Sequence, residues 1–253
     1  MTLIDSISSF FSPAIKWEIT AKSITGEVRA HNEDFVLFGE DANGSIAILA
    51  DGVGGHNAGE VASRFVCYEL LGWFDNRAPD KSLDAAGKSL KAAIESIHNS
   101  LYQQSHENER QQGMATTLAM VLQFQRQAIF AWAGDSRIYL ARNNTIEQIS
   151  ADHSFVEEKF REGLFSKEDA EQHPMGNIIT SCLGANENMP HLGLETITLK
   201  IDDQLILVSD GVSDVLSEDQ IAALLPSGTD AILDASQEAC SNDNCSVVIV
   251  KVI

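Results

Sequence analysis

The sequence predicts an α+β fold in which antiparallel β-sheets are covered by helices. Three observations carry this. Short apolar or alternating runs recur along the chain, Asn43-Gly44 marks a hairpin between two of them, and the longer helical stretches come in pairs. A βαβ series would instead alternate single strands with single helices. At 253 residues the chain exceeds a common domain size of about 100–200, but sheet-based folds of this length form single units.

Taken in order, Trp17–Ile24, Phe35–Phe38 and Ser45–Ala50 read as strands, the last two joined at Asn43-Gly44. Two helices are expected next, about Ala58–Phe74 and Ser82–Ser105. Strands resume at Thr117–Phe124, Ala128–Ala133 and Arg137–Ala141. A helical region at Ser154–Arg161 and Ser166–Glu171 interrupts them before Leu194–Leu199 and Gln204–Ser209, which Asp202-Asp203 joins tightly. A second helical pair, Ser217–Leu225 and Thr229–Ala239, precedes the final strand Ser246–Val252. With no repeat and no linker, residues 17–253 read as one domain behind a leader of residues 1–16. The segment from about 153 to 182 holds Gly163, Gly176, many charges and only short apolar runs, which suits a mobile flap.

Thirty-seven acidic residues against 17 basic ones give a net charge of −20. Such a surface repels nucleic-acid backbones and anionic membranes, so neither is an expected partner. No apolar run approaches the roughly 20 residues a membrane helix requires. The first residues lack a basic region and carry Asp5, unlike a secretory signal, and Thr2 stands where myristoylation needs glycine. Cys67, Cys182, Cys240 and Cys245 have no metal-site spacing and read as reduced thiols. A cytoplasmic location is the expectation.

The carboxylates fall in a pattern. The runs ending in Asp51-Gly52, Gly134-Asp135 and Asp210-Gly211 each close an apolar strand, while Asn32-Glu33-Asp34 and Asn242-Asp243-Asn244 each precede one. In antiparallel sheets the start of one strand and the end of its neighbour share an edge, and a turn at Asn43-Gly44 brings Asp34 within about two residues of Asp51 in register. Each Asp alone reads more readily as a turn residue than as a ligand. Five at strand ends, with no other catalytic apparatus in view, favour a site that gathers cations. Carboxylates crowded together resist joint ionisation unless cations lie between them. Oxygen donors without His or Cys select Mg²⁺ or Mn²⁺.

At this point the chain resembles a known family. Arg29-Ala-His-Asn-Glu-Asp34, Ala50-Asp-Gly-Val-Gly-Gly-His-Asn-Ala-Gly-Glu60, Gly113-Met-Ala-Thr-Thr117, Gly134-Asp-Ser-Arg137, Asp152-His-Ser154, Ser209-Asp-Gly211 and Asn242-Asp-Asn244 occur in the order found in metal-dependent type 2C protein phosphatases, the PPM family, in their compact bacterial form. The resemblance runs from about Trp17 to Ile253. It implies an αββα sandwich, two antiparallel sheets packed face to face and flanked by helix pairs. It implies hydrolysis of phosphoserine and phosphothreonine by in-line attack of a water bridging two Mg²⁺ or Mn²⁺ ions. By matched position, Asp51 bridges the two core ions. Asp210 and Asp243 complete the protein ligands of the first. Asp34, the Gly52 carbonyl and Glu33 serve the second. Asp135, helped by Asp210, belongs to a weaker third ion, and Arg29 corresponds to the phosphate-binding arginine. The implied partners are phosphorylated proteins and a cognate serine/threonine kinase, with the enzyme a monomer.

The departures are specific. Val53 stands where eukaryotic members carry a histidine implicated in protonating the leaving group, so no side-chain general acid is assigned. Ala115 replaces a glycine common in the family, a packing change. His56 lies in the glycine-rich loop, where substrate contact and loop packing are equally open. His31 and His153 fall inside matched motifs but correspond to no family ligand. The sequence lacks a C-x5-R loop, a D-x-D-x-T motif and a Walker motif. The alternative is a catalytically silent module that keeps the phosphatase fold for binding or regulation.

Overall fold

The structure, a computed structural model, describes residues 15–53, 58–107, 109–166, 168–169 and 173–253. Among the described residues, eleven strands form two antiparallel sheets. The first sheet contains β1 (Trp17–Ile24), β7 (Arg137–Arg142), β8 (Thr145–Gln148), β10 (Gln204–Val208) and β11 (Cys245–Val252), in the order β1-β11-β10-β7-β8. The second contains β2 (Asp34–Asp41), β3 (Gly44–Val53), β5 (Leu118–Phe124), β6 (Gln127–Ala133) and β9 (Gly193–Thr198), in the order β2-β3-β5-β6-β9, with β4 (Ala115–Thr116) added on β3.

Period-two alternation builds the layers. Along β3, Ala47 and Leu49 face the other sheet, where Leu205, Leu207, Val248 and Val250 meet them. Ile46, Ile48 and Ala50 face the opposite way, toward α1 (Gly59–Asn76) and α2 (Leu83–Glu107). Those helices answer with Ala62, Val66, Leu70 and Phe74 and with Leu90, Ile94 and Leu101, one apolar stripe each. On the far side, Ile206, Val208, Val247 and Ile249 are covered by Val212 of α4 (Asp210–Ser213), Ile221 of α5 (Glu218–Leu224) and Ile232 and Leu233 of α6 (Gly228–Glu238). Each such aliphatic side chain, wholly buried, contributes about 1.5–3 kcal/mol. The result is the αββα sandwich. A helix of one sort or the other covers both outer faces, so central strands read as continuous apolar runs.

Every expected strand is present within a few residues. Two more were not anticipated: β4 is only two residues long, and β8 is a half-exposed edge strand without an apolar run. The short α4 was also missed, because Asp210-Gly211 reads as a turn. Asp202-Asp203 is a tight connection that crosses from one sheet to the other. Asp203 is buried there and accepts two guanidinium hydrogen bonds from Arg142, at 2.8 and 2.6 Å.

Residues 1–14 of the expected leader lie outside the described residues. Ile15 is buried in the core between the sheets, and Lys16 exchanges two 2.9 Å backbone hydrogen bonds with Ile253, so both pack with the sandwich. Of Ser166–Glu171, Glu168 and Asp169 are helical, and residues 167 and 170–171 lie outside the described residues. Within the segment expected as a flap, α3 (Phe155–Arg161) is capped by the Ser154 hydroxyl, which accepts from the Glu157 N–H. Phe160, Leu164, Met175 and Ile178 are exposed along this segment. No helix among the described residues is long and apolar enough to cross a membrane.

Candidate metal centre and active site

The hairpin of β2 and β3 places Asp34 directly opposite Asp51, closer in register than the turn alone indicated. Gly52 follows at the end of β3, and its N–H donates to the Glu33 carbonyl at 3.0 Å. The first sheet meets this edge from the other side. Asp210 opens α4 immediately after β10, and Asp243 lies two residues before β11. Asp135 occupies the turn between β6 and β7. All the carboxylates expected from the sequence therefore share one end of the sandwich. Arg29 stands exposed at its rim, with its Nη2 donating to Asp243 Oδ2 at 2.5 Å.

Electrostatics mark the cluster as unsatisfied. Burial, then the charges of Asp34, Asp210, Asp135 and Asp243, push Asp51 well above the carboxylate range. Burial followed by Asp135 and Asp243 raises Asp210 to about 8. Burial and then Asp152 raise Asp135 to about 7. Asp34, also buried, rises only to about 6, because the hydroxyls of Ser209 and Ser246 donate to its Oδ2, each at 2.7 Å. Glu33 is raised as well, chiefly by burial. Asp135 Oδ1 and Asp210 Oδ1 are buried without a hydrogen-bond partner. A buried, orphaned carboxylate oxygen costs free energy unless a cation or proton compensates it.

This donor set fits hard divalent ions: carboxylates and a backbone carbonyl, with no thiolate or imidazole. Among the described residues, no three His, Cys, Asp or Glu side chains converge tightly enough to chelate an ion by themselves. Two of the carboxylates have partners of their own: Asp34 accepts from two serine hydroxyls and Asp243 from Arg29. An ion here would draw on Gly52 O and on water for the rest of its shell.

Residues that sequence reasoning passed over hold the frame. Asn244 is buried; its Oδ1 accepts from the Glu33 N–H at 2.9 Å, and its Nδ2 donates to the carbonyls of Thr25 and His31 at 2.8 and 2.9 Å. Gly211 lies so close that a Cβ there would strike the Asn244 carbonyl. Thr117 links two carboxylate loops. Its hydroxyl accepts from the Asp51 N–H at 3.0 Å and lies 2.8 Å from the Ser136 hydroxyl. Asp214, one helical turn after Asp210, adds charge that raises both Asp135 and Asp210. Its signal was an Asp-x-x-x-Asp spacing after a strand end. His56 lies outside the described residues.

The family model for protein phosphatase 2C matches residues 27–244. The chain belongs to the protein phosphatase 2C family. It is thus an enzyme, a metal-dependent phosphoprotein phosphatase. It is 33% identical over 244 residues to the protein phosphatase PhpP of Streptococcus pneumoniae, covering 92% of this chain and 96% of that one. The crystal structure of the serine/threonine phosphatase Stp1 of Staphylococcus aureus superposes with a TM-score of 0.85 at 32% identity, covering 93% of this chain and 95% of Stp1. The catalytic domain of the serine/threonine phosphatase PstP, solved with two manganese ions, is 31% identical with a TM-score of 0.80, covering 94% and 99% of the two chains.

Proposed function

We propose that this chain hydrolyses phosphoserine and phosphothreonine in proteins. Asp51, Asp210 and Asp243 would hold one core ion, and Asp34, the Gly52 carbonyl and Glu33 the other, directly or through water. Asp135 would serve a weaker third ion together with Asp210. The observation that carries this reading is the crowd of buried carboxylates, their pKa values raised by burial and by one another, with two orphaned oxygens at the end of the sandwich, beside an exposed guanidinium. When bound, divalent ions in such a site acidify a water for attack on phosphorus and offset charge on the phosphoryl oxygens. Arg29 offers a planar fork that matches two phosphate oxygens, and its rim position lets a protein-borne phosphate reach it. Asp243, its present partner, holds the guanidinium near the cluster. Val53 gives the site no imidazole for the leaving oxygen.

The substrates would be phosphoproteins loaded by a serine/threonine kinase, and the chain would act as a monomer. Its four cysteines are free thiols, in keeping with a reducing cytoplasm. The experiment is turnover of a phosphothreonine peptide with Mn²⁺, with Mg²⁺ and after exhaustive chelation, beside a nucleic-acid substrate. Phosphate release from the peptide only when metal is present is the expected result. Full turnover after chelation overturns the ligand assignment, and no turnover with either metal points to a silent module.

A further inference from the structure

Two sequence motifs of which the metal assignment uses only Asp135, Gly134-Asp-Ser-Arg137 and Asp152-His-Ser154, interlock in the structure. Arg137 donates to both carboxylate oxygens of Asp152, at 2.7–3.1 Å, and Gln148 Nε2 donates to the same carboxylate at 2.7 Å. The His153 N–H donates to the Gly134 carbonyl at 2.9 Å, and the Gly134 N–H returns a bond to His153 Nδ1 at 3.3 Å. The turn that carries Asp135 is thus clasped on both backbone groups of the residue before it. Gly134 has φ +106°, and a Cβ there would strike the Thr117 side chain, so the turn has little freedom to shift on that side.

The ring of His153 is buried and continues outward. Its Nε2 lies 3.0 Å from His191 Nδ1, the two rings standing at 71°, and the Trp132 ring stacks with it at 6.0 Å between centroids. Its carbonyl accepts from the Thr180 N–H at 2.8 Å, which binds the far end of the 153–182 segment to the same residue. The bonds settle the tautomer. Because Nδ1 must accept from an amide, the proton sits on Nε2 and is donated to His191 Nδ1. Burial, then the neighbouring His191 and Arg161, hold the ring neutral, with its pKa down at about 4.

We propose that His153 is a positioning residue for Asp135: its Nδ1 fixes the Gly134 amide, and through it the orientation of the carboxylate in the site. This rests on the reading of Asp135 as a member of the reaction centre, but the anchor itself can be examined without any reaction. Asn and Gln separate the two ends of the imidazole. In His153→Asn the amide oxygen replaces Nδ1, and in His153→Gln the terminal amide replaces Nε2. Both are polar and of similar size, which keeps the fold.

The experiment measures amide hydrogen exchange at Gly134, imidazole ¹⁵N shifts, high-affinity metal binding by calorimetry, and peptide turnover across a Mn²⁺ titration. The expected result is an Nε2–H tautomer in the parent protein and slow Gly134 exchange in the parent and the Asn variant. The Gln variant should show fast Gly134 exchange. Turnover in the Gln variant should fall about 10–100-fold, the cost of a reacting group misplaced by about 1 Å, and the Mn²⁺ needed for half-maximal rate should rise. The Asn variant should stay within about threefold of the parent. High-affinity metal binding should be unchanged in both. An Nδ1–H tautomer, or Gly134 exchange that is equal in the two variants, overturns the anchor. Fast exchange in the Gln variant with undiminished turnover overturns its role in the reaction while leaving the phosphatase reading intact. An inactive parent protein with a protected Gly134 amide instead refutes the phosphatase reading and, with it, this role.

Discussion

Replacing Asp135 by Asn in the metal-free protein should raise its thermal stability at pH 8 and leave it unchanged near pH 3. In the folded chain, burial and then the charge of Asp152 lift the Asp135 carboxyl from an ordinary 3.8 to about 7. A carboxyl that holds its proton more tightly when folded adds stability that is complete below its unfolded pKa. That contribution is lost as the pH rises through about 7, where the charge must form in a site that opposes it. Each pH unit of displacement is worth about 1.4 kcal/mol, so the cost of the charge at pH 8 is at most about 4 kcal/mol. Relaxation of the site and entry of water bring this to about 2 kcal/mol. Asn removes the charge at constant shape and can turn its NH₂ into the position of the orphaned Oδ1, facing a cluster rich in acceptors. For a chain of this size a gain of about 2 kcal/mol raises Tm by about 4–8 °C. The assay is thermal unfolding of both proteins in chelator at pH 3, 5, 7 and 8, repeated at pH 8 with excess Mn²⁺. The difference should grow from pH 4 to 7 and shrink with metal, which neutralises the parent's charge. A variant no more stable than the parent at pH 8 would refute the claim that Asp135 is held against its charge.

Asp51→Asn should abolish turnover and weaken metal binding, whereas Arg29→Ala should keep the core metals and lower kcat/KM about 10–100-fold, the worth of a charge-assisted bidentate contact. Calorimetric metal titration beside kinetics checks the pair, and equal loss of metal in both variants contradicts the assigned roles. Asn244→Ala removes three buried hydrogen bonds and should cost about 3 kcal/mol in denaturant unfolding; an unchanged midpoint would show that Asn244 does not hold the frame. Exchanging residues 153–182 for the matching segment of a relative should shift phosphopeptide preference more than turnover of a small aryl phosphate. Equal effects on both substrates exclude a recognition role for that segment.

What could be read in the sequence was local. Short continuous apolar runs such as Ser45–Ala50 and Gln204–Ser209 located the strands, because a strand buried on both faces leaves its pattern on consecutive residues. The stripe of Ala62, Val66, Leu70 and Phe74 located α1 by the same logic at helical spacing. Asp34, Asp51, Asp135, Asp210 and Asp243 were legible because carboxylates at strand ends stand out against apolar runs. The half-exposed β8 and the two-residue β4 left no such trace.

Long-range pairing was decided only by the tertiary structure. The hydroxyls on Asp34 come from Ser209 and Ser246, 175 and 212 residues away, and the amide that Asn244 holds belongs to Glu33, 211 residues away. Serine and asparagine carry no periodic signal, and their partners are chosen when the two sheets stack and bring separate loops to one edge. The same stacking makes the Asp202-Asp203 link cross between sheets and sets His153 beneath Gly134. The chain's own sequence thus determined which residues have the chemistry for the site, because residue type and spacing are local properties. Where those groups point, and which of them remain unsatisfied, depends on how the layers close, because a hydrogen bond is specified by positions in space that no short stretch of sequence contains.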